Sequence, residues 1–103
     1  MPDTTADTII KWSHENKERL AEIQITPEIV AYTPGEFATL DLHSAGLSGR
    51  MTVWSAGQCD VEAIDDNLDQ ITWTHYENVG EKLMLDYLAT LVNQIACKNS
   101  SKS

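Results

Sequence analysis

Asp65-Asp66-Asn67-Leu68-Asp69 offers side-chain oxygens at its first, third and fifth positions, as the start of a calcium loop does. The pattern then fails. The sixth position, where the loop needs glycine for a sharp turn, is Gln70, and the twelfth, which needs a bidentate Glu, is Tyr76. His43, His75, Cys59 and Cys97 are zinc-ligand types, yet none of them stand at a CxxC, HxxxH or HExxH spacing. Cys59 would need a nearby imidazole to act as a nucleophile, and His43 or His75 reaches it only across other strands. A buried, inert thiol is the better expectation. Asp60 and Glu62 share one strand face about 7 Å apart, a separation that glycosidases use, but alternation creates it in any acidic strand. With no glycine-rich phosphate loop either, the residues predict no metal, no cofactor and no enzyme.

Negative charge is what the chain has in quantity. Its 103 residues hold 16 acids and 7 bases, a net charge of −9, with a pI near 4.5. Residues 20–81 hold eleven of the acids against one base, Arg50, so this central segment carries the imbalance. Such a surface repels phosphate backbones and anionic membranes, so neither nucleic acid nor a membrane is the expected partner. Charge gathered in this way suits a partner-facing surface, and it equally suits a solvated sheet face that keeps the protein soluble. No run approaches the ~18 apolar residues of a membrane span. Met1-Pro2-Asp3-Thr4-Thr5 lacks the basic flank and apolar run of a secretory signal. Two cysteines are too few for a disulfide framework in so small a chain, so a reducing compartment, the cytoplasm, is expected.

Hydropathy then predicts the elements that would position these residues. Residues 4–21 are expected to form a helix capped by Thr4 with Asp7, its apolar positions Ile9, Trp12, Leu20 and Ile23 docking mainly by the two ends. Residues 28–33, 37–43, 50–55, 58–65 and 70–77 alternate as strands, with Pro27 at the start of the first. Their short connections predict an antiparallel meander of four or five strands. Asn78 is the expected cap of a closing helix with Glu81 in its first turn, and Met84, Leu88, Leu91 and Ile95 make its buried stripe, widened by Leu83, Tyr87 and Val92. That helix should end near Cys97, leaving 98–103 as a disordered polar tail. The whole, 1–103, reads as one α+β domain: an N-terminal helix, the meander, and a C-terminal helix on one face of the sheet.

One hairpin can be specified to the residue. With Met51, Val53, Cys59, Val61 and Ala63 facing the core, a three-residue loop Ser55-Ala56-Gly57 pairs Val53 with Cys59 and Met51 with Val61. Outside, it sets Trp54 opposite Gln58, Thr52 opposite Asp60 and Arg50 opposite Glu62. Trp54 then stands among acids, either as an apolar anchor for a protein partner or covered by a helix or its own neighbours. Trp73 lies on the following strand.

This hairpin resembles the centre of the TriTu family of bacterial immunity proteins, with the form Gly-Arg-x-x-Val-Trp-x-x-Gly-x-x-Asp-x-Glu in residues 49–62. The N-terminal helix, the meander, Trp73-Thr74-His75 and the Leu-rich closing helix fit the same family. The resemblance implies the antidote of a contact-dependent or polymorphic toxin system, which binds its cognate toxin and blocks it; no reaction comes with it. Charge is compatible with this, because toxins acting on nucleic acid carry basic sites. The expectation is a monomer that occludes a basic toxin, a nuclease for example, through Trp54, Asp60, Glu62, Asp65, Asp66, Asp69 and Glu77. A secretion chaperone or adaptor is the alternative binding role, and a ligand-binding module or small enzyme using a pocket between helix and sheet is the alternative of another kind.

Overall fold

The computed structural model describes residues 5–65 and 70–100. Its elements run α1 (Thr5–Glu15), α2 (Lys17–Glu22), β1 (Thr26–Thr33), β2 (Phe37–His43), β3 (Leu47–Trp54), β4 (Cys59–Asp65), β5 (Gln70–Tyr76) and α3 (Glu81–Ser100). The strands make one antiparallel sheet in chain order, so the α+β meander is present with five strands. Alternation divides each strand between two faces. On the inner face, Ala38, Leu40 and Leu42 of β2, Met51 and Val53 of β3, and Cys59 and Ala63 of β4 are at most 2% exposed. The stripe Met84, Leu88, Leu91 and Ile95 covers them, together with Ala6 and Ile9 of α1 and Leu20 of α2. Burial of each large side chain contributes about 1.5–3 kcal/mol, which makes this one-sided layer the main source of stability.

The β3–β4 register is the one the alternation predicts. Val53 faces Cys59, Met51 faces Val61, Thr52 faces Asp60 and Arg50 faces Glu62. The Trp54 N–H donates to the Gln58 carbonyl and the Gly57 N–H to the Trp54 carbonyl, both at 2.9 Å. Gly57 takes φ +110°, a conformation that closes the loop at no steric cost to glycine alone.

The differences lie where local polar groups compete with a helix or strand. The predicted N-terminal helix is two, broken at Asn16, whose side-chain amide donates to the Trp12 carbonyl at 2.9 Å. Thr4 lies outside the described residues. Asp7 accepts from the Tyr32 hydroxyl at 2.5 Å and the Gly35 N–H at 3.3 Å, pinning α1 to the β1–β2 turn. Ile23 is exposed, and the chain turns through a left-handed Gln24 at the end of α2.

Asn78 does not cap α3. It is itself left-handed, at φ +58°, and the Gly80 carbonyl accepts the first helical bond, from Met84 at 3.0 Å. Leu83, expected to widen the buried stripe, is exposed. Helix α3 continues to Ser100, past the predicted end near Cys97. Pro27 sits second in β1 and not ahead of it, and β3 begins at Leu47, three residues inside the predicted turn. Gly49 explains that extension: a Cβ there would lie 2.9 Å from the Leu91 side chain, so the strand meets α3 where glycine allows it.

Candidate partner-binding face

The other face of the sheet carries the polar half of each strand, and the helices all pack on the opposite side. The registers align its residues in rows. One runs Glu28, Asp41, Arg50, Glu62, Trp73 across all five strands; the next runs Ala31, Thr39, Thr52, Asp60, His75. Phe37 and Trp54 pair at the end of β2 and β3. Across the strands, five acids stand against Arg50, while the three helices hold six acids and five bases. Four of these strand acids, Glu28, Asp41, Asp60 and Glu62, lie on this face against Arg50, so the face is net acidic, while the segments outside the helices and strands hold a comparable share of the chain's imbalance.

Several of these acids already have partners. Arg50 donates to Asp41 through Nε at 2.6 Å and Nη2 at 3.0 Å, a two-pronged pair. The cross-strand acid that Arg50 meets is thus Asp41, not Glu62. The Asp41 hydrogen bond and charge, with Glu62 adding a smaller share, hold the guanidinium above its ordinary pKa against a partly opposing desolvation. His43 Nε2 lies 2.6 Å from Glu28, and His75 Nδ1 lies 2.5 Å from Asp60 with Glu77 at 3.8 Å from its other nitrogen. The hydrogen bond to Asp60 raises the His75 pKa above the ordinary 6.5.

Of the residues predicted to meet a partner, Asp60, Glu62 and Trp54 share this face, and Glu77 follows at the end of β5. Trp54 is half-buried, flanked by Phe37, and its carbonyl accepts from the Thr5 hydroxyl at 3.3 Å, so it is neither fully open nor covered. Only the backbone of Asp65, at the end of β4, is described; Asp66, Asp69 and the calcium-like segment lie outside the described residues. Trp73 is the open aromatic, 55% exposed in the row with Glu62. Alternation alone missed it, because the register slips between Ala63 and Ile64 and breaks the parity count into β5.

The remaining chemistry is dispersed. Cys59 is on the inner face, where burial pushes its thiol up to about 12 with help from Asp60, while His43 and His75 are on the outer face. Ligand atoms of Glu28, Asp41 and His43 lie within 4.8 Å of one another, but a cation there competes with Arg50 for Asp41. A hollow of about 130 Å³ beside them is lined by Asp41, His43, Ser48 and Arg50. A groove of about 310 Å³ lies between α1–α2 and α3, lined by Trp12, Leu20, Ile23 and Val92 with Asn16 and Arg19. No helix among the described residues is long and apolar enough to cross a membrane.

A family model described as "Immunity protein TriTu" matches residues 7–94, from α1 to near the end of α3 and including the whole sheet. No curated protein and no solved structure matches the chain closely enough to add to this.

Proposed function

The chain belongs to the TriTu family of immunity proteins, and on that premise we propose that it neutralises its cognate toxin by stoichiometric occlusion, laying the outer sheet face on a basic toxin surface. The observation that carries this reading is the one-sided architecture. Every helix packs on the inner face, which leaves a broad acidic surface with Trp73 standing out of it. Exposed aromatic area among charges gives an interface its apolar centre and its electrostatic selection. A standard contact of ~800 Å² per partner would fit on such a face. Negative charge would speed encounter with a toxin whose own site binds nucleic acid, a nuclease for example. The chain itself performs no reaction in this account. It acts as a monomer in the cytoplasm, where the toxin would otherwise work.

Co-expression tests the role. The chain should restore growth to cells expressing the C-terminal domain of the toxin encoded beside its gene, and failure to do so would remove the role. For the mechanism, a Glu62→Lys/Glu77→Lys variant should associate with that domain on the order of tenfold more slowly at low salt, with a flatter salt dependence. Unchanged association rates would detach the acidic face from the contact.

A further inference from the structure

The two edges of the sheet are built differently, and the hydrogen-bond alternation shows how. In an antiparallel pair, residues that exchange N–H and C=O bonds with the residue opposite alternate with residues whose backbone groups both point the other way. Trp54 directs its backbone groups toward β4, as its bonds with Gln58 and Gly57 show. Alternation then directs Asp60 and Glu62 toward β3, and Cys59, Val61 and Ala63 toward β5. The last three face Tyr76, Thr74 and Thr72. Trp73 and His75 are therefore the β5 residues whose N–H and C=O point off the sheet.

Carried the other way, the same alternation brings Pro27, Ile29 and Tyr32 to the outer edge of β1. That edge is blunted. Pro27 has no N–H to offer, and a bulge at Val30 interrupts the ladder between Ile29 and Ala31. β5 has no proline or lysine, pairs regularly from Thr72 to Tyr76, and exposes Thr72, Trp73, Thr74 and His75. Among the described residues, the stack of Tyr76 on Tyr87, 4.1 Å between ring centroids, ties it to the helices at the far end from Gln70.

We propose that the outer edge of β5, which no strand among the described residues covers, is a strand-docking site, which takes an extended segment of the toxin that carries Lys or Arg and pairs with the backbone of Trp73 and His75. This rests on the reading that the toxin binds this side of the sheet and gives that contact its geometry. Charge selects the occupant. A second copy of a chain carrying −9 would bring like charges together along the edge. A docked strand would place alternate side chains on the outer face about 5 Å from Trp73 and His75. Glu62 and Asp60 stand one strand behind them and Glu77 at the end. A Lys or Arg opposite Trp73 gains the face of the indole as well as those acids.

Two substitutions separate the backbone from the side chain. His75→Ala loses the imidazole and its bond to Asp60 but keeps the N–H; His75→Pro loses all of these, and neither costs a backbone bond to β4. Binding to the C-terminal domain of the toxin encoded beside the gene should be at least about tenfold weaker for His75→Pro than for His75→Ala. In the unsubstituted chain, the Trp73 and His75 amides should exchange at least about tenfold more slowly in the complex than free, and those of Ile29 and Tyr32 should be unchanged. The exchange measurement decides even if His75→Pro does not fold. Binding with equal affinity for the two variants and no protection at Trp73 and His75 would overturn the docking edge while leaving the immunity role in place. The same amides protected in the free chain, with a dimer's mass in sedimentation, would assign the edge to a second copy and overturn it too. A toxin domain that does not bind at all would end both readings.

Discussion

Trp54, Asp60 and Glu62 show how one hairpin divides its residues between holding the fold and facing outward. Asp60 is taken up by His75, and Arg50 by Asp41, while Glu62 and half-buried Trp54 keep surface to offer. The Asp60–His75 pair gives a pH signature. Because Asp60 raises the His75 pKa, its contribution to stability is full below the ordinary 6.5 and is lost as pH rises through the raised folded value. The stability advantage of the unsubstituted chain over Asp60→Asn should therefore shrink as pH rises from the ordinary 6.5 through the raised value. The His75 ring should titrate above 6.5 by NMR and fall toward it in Asp60→Asn. An advantage that grows with pH would show that the pair does not hold in solution. Parity along two strands was enough to put Asp60 and Glu62 on one face. It could not choose between Asp41 and Glu62 as the partner of Arg50, since both stand directly opposite on neighbouring strands.

Among the elements, strand periodicity and the α3 stripe were legible because burial enforces them: Met84, Leu88, Leu91 and Ile95 recur on one helical face, and β2 to β4 alternate with little interruption. The boundaries were less legible, because they depend on partners remote in the chain. Residues 47–49 read as turn chemistry, yet Leu47 is buried and Gly49 lies under Leu91. Asn16 and Asn78 likewise take roles that the fold around them sets, a break between helices and a left-handed turn. The Gly49–Leu91 approach is testable. Gly49→Ala should cost about 1–3 kcal/mol in chemical denaturation by crowding the core. Much of that cost should vanish when Leu91 is also cut to Ala, since the two side chains then no longer compete for the same space. Equal cost in both backgrounds would place the clash elsewhere.

For the whole molecule, the layers and the charges tell the same story. Helices bury one face of the sheet and are themselves nearly balanced in charge, while the uncovered face is net acidic, with Glu28, Asp41, Asp60 and Glu62 against Arg50, and carries the exposed Trp73. The sequence pattern located this charge in the central segment but could not say that it would be left uncovered, because that depends on which face both terminal segments choose. Carboxyl labelling of the free chain and of its complex with the cognate toxin domain, read residue by residue by mass spectrometry, tests that choice directly. Glu62 and Glu77 should lose reactivity on binding, while Glu15, Glu18, Glu22 and Asp86 on the helices label as before. Protection of the helical carboxylates with Glu62 and Glu77 still reactive would contradict the account.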